Sequence, residues 1–128
     1  MSIGPEIIET LRLELRRGTL ILAVLGALRV EKYGYTLRSD LAQQGVEIDE
    51  GALYPMLRRL ETQGLLTSEW REDAKRQKRF YRLSADGAAA LSHLTEEWRG
   101  MNRALENILE PSPSQAFGAP AGLKEGRQ

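Results

Sequence analysis

The chain has 128 residues, 41% of them apolar and 28% charged, with 18 Lys or Arg balanced by 18 Asp or Glu, enough for one domain with a modest core and too little for two. It contains no cysteine, which excludes disulfides, thiolate zinc sites and cysteine nucleophiles; neither metal nor cofactor is expected. The longest apolar run, 20–28, is too short to span a bilayer. The acidic opening MSIGPEIIET is unlike a basic export leader, so the expected location is the cytoplasm.

In chain order, Ile7, Leu11, Leu15, Leu22 and Leu25 fall mostly three or four residues apart and predict a long amphipathic helix over 5–29. Gly18 interrupts it as a point of bending. The stretch TLILAVLGAL (19–28) is apolar nearly all round, so the second half of this helix is expected in the core. EKYGY (31–35) reads as a turn, and TLRSDLAQQG (36–45) as a short helix closed by Gly45. Asp49 is a candidate N-cap for a further helix over 50–63 that ends at Gly64. LLTSEW (65–70) and KRFYRL (78–83) predict two strands of a hairpin with a long charged tip, REDAKRQ (71–77). Ser84 can cap a last helix reaching about Leu109. The remaining stretch, rich in proline and glycine, reads as a disordered tail over 111–128.

The order helix, helix, helix, hairpin predicts a mainly α fold with a small β-hairpin, a winged helix-turn-helix, over residues 1–83. Residues 84–110 form a separate helix in this division. Zero net charge hides an uneven distribution. Residues 51–83 hold eight Lys or Arg against four Asp or Glu, and residues 84–110 hold two against five. A basic contact surface followed by an acidic element is implied.

On a helical wheel, Leu53, Met56, Leu57, Leu60 and Gly64 of GALYPMLRRLETQGLL (51–66) cluster on one side. Gly51, Pro55, Arg58 and Thr62 point the opposite way, with Ala52, Tyr54 and Arg59 on the flanks. A proline in the first turn costs little, but deeper in the helix it costs up to ~3 kcal/mol. A small, flat helix tip lying against base pairs, its proline ring able to touch a thymine methyl, gives one rationale. A solvated arginine face with the proline marking a loop is the alternative. The bases of KRQKR (75–79) favour the first reading, because they suit phosphates or the minor groove beside such a helix.

LRRGTLILAVLGAL (15–28), YGY (33–35), GALYPMLRRLETQGLL (51–66) and KRFYRLSADG (78–87) together resemble the PadR family of bacterial transcriptional regulators. That family has a leucine-rich first helix, a G-Y pair opening helix two and a G-T-L-Y-P stretch opening the recognition helix. Its second wing strand reads R-K-Y-Y-R-L-T, followed by a glycine. The match runs over about residues 10–105, with Ala52 in place of the usual threonine, Lys78 and Arg79 swapped, and Phe80 in place of a tyrosine. Residue reading and resemblance together nominate Tyr35, Glu50, Gly51, Ala52, Tyr54, Pro55, Arg58, Arg59, Lys75, Arg76, Lys78 and Arg79 as contacts to double-stranded DNA. Arg58 and Tyr54 are the expected base readers, and Lys75 and Arg76 the expected phosphate contacts.

In the last helix Leu91, Leu94, Trp98, Met101, Leu105 and Ile108 are spaced 3, 4, 3, 4, 3, a heptad seam. Packed against a partner's first helix through Leu11 and Leu15, it predicts a homodimer on a palindromic operator; the alternative is a helix folded back on its own domain. Trp98 on that seam is either simple packing or an effector site. Short, multidrug-sensing PadR-like proteins, which LTEEWRGM (94–101) resembles, carry a tryptophan here that sandwiches flat aromatic ligands, and Glu96 and Glu97 would favour cations. The implied function is a dimeric repressor relieved by a small aromatic effector. An enzyme is not expected: His93, the one histidine, reads as a surface residue, and no catalytic motif is present. The rival reading is a winged-helix protein-interaction module that never touches DNA.

Overall fold

Gly45 and Gly64, the two expected helix stops, both adopt left-handed backbone, with φ of 92° and 84°. Each lets the next amide turn back onto the helix it has ended: Val46 N–H donates to Leu41 O at 2.8 Å, and Leu65 N–H to Leu60 O at 2.9 Å, satisfying carbonyls a helix end leaves open. Between and around these stops the computed structural model describes residues 3–110. Its elements are α1 (Pro5–Ala27), β1 (Lys32–Tyr33), α2 (Gly34–Gln43), α3 (Glu50–Thr62), β2 (Leu66–Asp73), β3 (Arg76–Leu83) and α4 (Ala85–Leu109). They form two compact units, one ending at Leu94. Among the described residues the second unit is the remainder of α4. The expected tail, 111–128, lies outside the described residues.

Four helices and a three-stranded antiparallel sheet, in the order β1-β3-β2, make the winged helix-turn-helix that the element order predicts. Three local expectations are corrected. EKYGY is not merely a turn: Lys32 and Tyr33 pair with Tyr81 and Phe80 as a third strand, and α2 begins two residues early, at Gly34. The hairpin tip is not 71–77 but Ala74 and Lys75, both at positive φ, because the register runs unbroken from Leu66↔Leu83 to Asp73↔Arg76. A two-residue turn of that hand matches the twist of the strands it joins. Finally, Gly18 does not interrupt α1, which is continuous.

The core of the first unit takes the second half of the first helix and the apolar face of α3, as expected. Of the periodic residues of α1, however, Leu25 alone belongs to it, with Ile7, Leu11 and Leu15 exposed. Val24, Leu25 and Leu28 from the end of α1 meet Leu37 and Leu41 of α2. Leu53, Met56, Leu57 and Leu60 of α3, Leu66 of β2 and Tyr81 of β3 complete the cluster. Burying seven of these side chains fully supplies roughly 1.5–3 kcal/mol each before chain entropy is charged. The junction into α4 is tight. Ser84 Oγ accepts from Gly87 N–H at 2.9 Å, as the expected cap, while donating to Gly64 O at 2.6 Å.

Candidate nucleic-acid interface

Asp49 starts α3: its Oδ1 accepts from Ala52 N–H at 2.8 Å. The helix therefore begins at Glu50, and Pro55 stands inside it, too deep for the first-turn exemption. Pro55 has no N–H for the Gly51 carbonyl one turn back, and both residues are exposed. The irregularity thus sits on the outward face, opposite the buried Leu53, Met56, Leu57 and Leu60. That face is Gly51, Pro55, Arg58 and Thr62, as the wheel predicts, with Ala52 and Arg59 exposed beside it.

Two nominated residues of α3, Glu50 and Tyr54, sit differently from free contacts. The Glu50 carboxylate pairs with Arg38 Nη1 at 3.2 Å, and Arg38 Nε also donates to Ile48 O at 3.2 Å, so Glu50 ties α3 to α2. Tyr54, half-buried, lies against Gly34: a Cβ on Gly34 would stand 2.4 Å from the Tyr54 ring and hydroxyl. The ring is thereby held over the start of α2, turned to the wing side rather than straight out. Arg58 shares that side, lining one cleft with Tyr54, Trp70 and Tyr81. Tyr35, in the first turn of α2, is 65% exposed.

The wing separates its cations into two sets. Lys78 Nζ donates to Asp73 Oδ2 at 2.9 Å and lies 4.3 Å from the Tyr33 ring centroid. The Asp73 hydrogen bond, with that of Tyr33 behind it, raises the Lys78 ammonium above its ordinary pKa. Bonds from Thr36 and then Lys78 hold the Tyr33 phenol below its own. Arg79 donates to Glu61 Oε1 at 2.9 Å and to Ser68 Oγ at 2.9 Å, stitching β3 to α3. Arg71, paired with Glu31 and Glu69, stacks 4.0 Å over the Phe80 ring. These charges are matched by carboxylates. In contrast, Arg58, Arg59, Lys75, Arg76 and Arg82 have no carboxylate partner among the described residues. Lys78 and Arg79 are thus structural ties in the wing, whereas Lys75 and Arg76 stand exposed at its tip.

Two residues escape the sequence reading. Trp70 is 61% exposed and faces Arg79 across the ladder, with the guanidinium 5.7 Å from its ring. Tyr81 is 4% exposed. Strand alternation over LTSEW and RFYRL was the available signal. It places Trp70 and Tyr81 on the same sheet face as Ser68 and Arg79, the face tied to α3.

In α4 the seam residues divide. Leu91 is half-buried and packs on the core of the first unit. Leu94, Trp98, Met101, Leu105 and Ile108 are exposed in the single chain, as are Leu11 and Leu15 of α1. His93 is exposed as expected. Among the described residues no helix is long and apolar enough to cross a membrane.

Comparison with known proteins agrees with this architecture. Residues 21–93 match the model of the transcriptional regulator PadR-like family. Over 79 residues the chain is 39% identical to the transcriptional regulator Rv3488 of Mycobacterium tuberculosis, covering 62% of this chain and 71% of that protein. The crystal structure of a PadR family transcriptional regulator from Eggerthella lenta superposes with a TM-score of 0.76 at 39% identity, covering 84% of this chain and 96% of that one. The structure of smu.1704 from Streptococcus mutans gives a TM-score of 0.61 at 30% identity, covering 71% and 85%.

Proposed function

The chain belongs to the PadR-like family of transcriptional regulators, and from that membership we propose that it acts as a homodimeric repressor on a palindromic operator. The observation that carries the DNA reading is the division of charge. On α3 and the wing, the residues tying the fold together are neutralised, while Arg58, Arg59, Lys75 and Arg76 remain unmatched. A winged-helix module that only met proteins is not expected to carry unmatched cations at both the helix and the wing tip. In this reading Gly51, Ala52 and Pro55 let the backbone of α3 lie close to base edges, Arg59 reaches into the groove, and Lys75 and Arg76 meet phosphates. Tyr35, at the opening of α2, is placed to touch the flanking backbone. Glu50, Lys78 and Arg79 position these groups.

What supports the dimer is the exposed seam of α4 and the apolar stripe of α1, which a partner's copies would cover. Half-site centres then fall about one helical turn apart (~34 Å) or a multiple of it. Trp98, at the middle of the seam, supplies a stacking surface for a flat aromatic effector, and Glu96 and Glu97 favour a cationic one. Binding there relieves repression to the extent that the ligand prefers one spacing of the two α3 helices over another.

The test is salt-dependent binding to duplex DNA, followed by sequencing of genomic fragments retained by the protein. Affinity that falls steeply with salt and fragments that share a palindrome are the expected outcome. Absence of any binding at low salt would sink the DNA reading and leave the protein-interaction alternative.

A further inference from the structure

The cleft between α3 and the wing, about 290 Å³ in volume, has an unusual floor. The Tyr81 ring is packed in the core, yet among the described residues no group hydrogen-bonds its hydroxyl. A buried donor without an acceptor is disfavoured unless something else meets it. Burial pushes its phenol above the ordinary value, so at neutral pH it is an O–H donor. Of the cations around it, Lys78 is matched by Asp73 and Arg79 by Glu61. Arg58, exposed and without a carboxylate partner, is the cation left over. The cleft also opens onto Gly34, the first residue of α2, a helix whose N-cap makes no side-chain hydrogen bond.

The groups left over in the cleft, the Tyr54 and Tyr81 hydroxyls and the Arg58 guanidinium, can all donate, and the one unmatched charge among them is positive. A base edge presents donors and acceptors in a sequence-dependent pattern. A phosphodiester presents only acceptor oxygens and one negative charge. We propose that this cleft seats a single phosphate of the DNA backbone, held by Tyr81 Oη and Arg58, so that Tyr81 is a sequence-independent DNA-binding residue. The proposal rests on the reading of α3 and the wing as DNA-binding elements and assigns their junction, rather than the wing tip, a fixed phosphate contact. It also moves Arg58 from base reading to backbone positioning.

The experiment compares wild type, Tyr81→Phe, Arg58→Gln and the double variant in binding to a random-sequence duplex and to a retained genomic fragment, over a range of KCl. Tyr81→Phe is expected to lose about tenfold in affinity for both duplexes with an unchanged salt slope, because no charge is removed. Its melting temperature is expected to hold or rise, because the unmatched hydroxyl is gone. Arg58→Gln is expected to lower the salt slope by about one, and the double variant to lose less than the product of the two losses. If Tyr81→Phe melts like wild type and binds within about twofold of it, the proposal is overturned. It is equally overturned if the loss is confined to one sequence, which would mark a base contact. Should Tyr81→Phe fail to fold, an unchanged salt slope in the exposed Arg58→Gln overturns it instead. Inorganic phosphate and adenosine monophosphate form the remaining arm. If they raise the melting temperature of wild type but not of Tyr81→Phe, while both proteins bind DNA alike, the cleft holds a free phosphate compound and the backbone assignment fails. Loss of all DNA binding by the wild type would instead remove the parent reading.

Discussion

At the residue scale, three glycines separate packing from conformation. A Cβ at Gly87 would lie 2.0 Å from the Leu65 carbonyl oxygen, a backbone atom fixed by Ser84 N–H. Gly87→Ala is therefore expected to destabilise the fold by about 1–3 kcal/mol or more. At Gly34 the obstacle is the Tyr54 side chain, which has rotamers to move to. Gly34→Ala is expected to cost less stability but to weaken DNA binding, since the displaced ring no longer shapes the cleft beside Arg58. Gly18 meets nothing within 4 Å in the middle of α1, so Gly18→Ala is expected to stabilise by about 0.5–1 kcal/mol. Thermal melts of the three variants, with anisotropy on a duplex for Gly34→Ala, check the ordering. An equal loss of stability at Gly34 and Gly87 would contradict it.

The wing is where residue identity and element geometry part company. KRQKR reads as one basic cluster, but the pleat and register split it. Lys78 and Arg79 are neutralised by Asp73 and Glu61, and Lys75 and Arg76 are left at the turn. Replacing Lys75 and Arg76 by alanine is expected to weaken binding to every duplex equally and to lower the salt slope by about one to two, with little change in melting. Replacing Arg79 by methionine is expected to lower the melting temperature, because it leaves the half-buried Glu61 carboxylate without its cation and with only the Ser68 hydroxyl donating to it at 2.7 Å. Parallel titrations and melts of the two variants separate these effects. The turn also carries strain that its sequence does not relieve. Ala74 stands at φ 52°, a region asparagine tolerates better than alanine, so Ala74→Asn is expected to raise the melting temperature slightly.

For the whole molecule the open question is what covers the apolar faces. Leu15 is 76% exposed and Ile108 68% exposed, and large apolar patches on a lone chain mark an interface. In the proposed homodimer a second copy of the chain would cover them, through α4 and α1. Leu94→Asp with Leu105→Asp is expected to yield monomers or misfolded protein in sedimentation. Wild type that sediments as a monomer at tens of micromolar protein would rule the dimer out. Trp98→Ala tests the effector reading separately. Quenching of indole fluorescence by flat aromatic dyes is expected in wild type and should vanish in a variant that remains dimeric. No response from a broad dye panel would return Trp98 to packing.

Much of this molecule was legible in the chain itself. The 3.6-residue period located α1, α3 and α4, the glycines after α2 and α3 set their ends, and Asp49 and Ser84 announced caps that the structure contains. The motif set also pointed to the family. Those signals are local: each depends on residues within about one helical turn of one another, so the sequence spells them directly. What tertiary structure decided depends on partners far apart in the chain. Lys32–Tyr33 is too short to show a period and becomes a strand only because β3 lies beside it. The tip of the hairpin shrank to two residues because pairing across the ladder, not composition, fixes where strands end. Which cations of the wing are free depended on Glu61 and Glu31 arriving next to Arg79 and Arg71, and on the hairpin register setting Asp73 beside Lys78. The unmatched hydroxyl of Tyr81 was hidden for the same reason, since a hydrogen bond that is not made leaves no mark in a sequence and exists only once the groups that could have made it have been packed elsewhere.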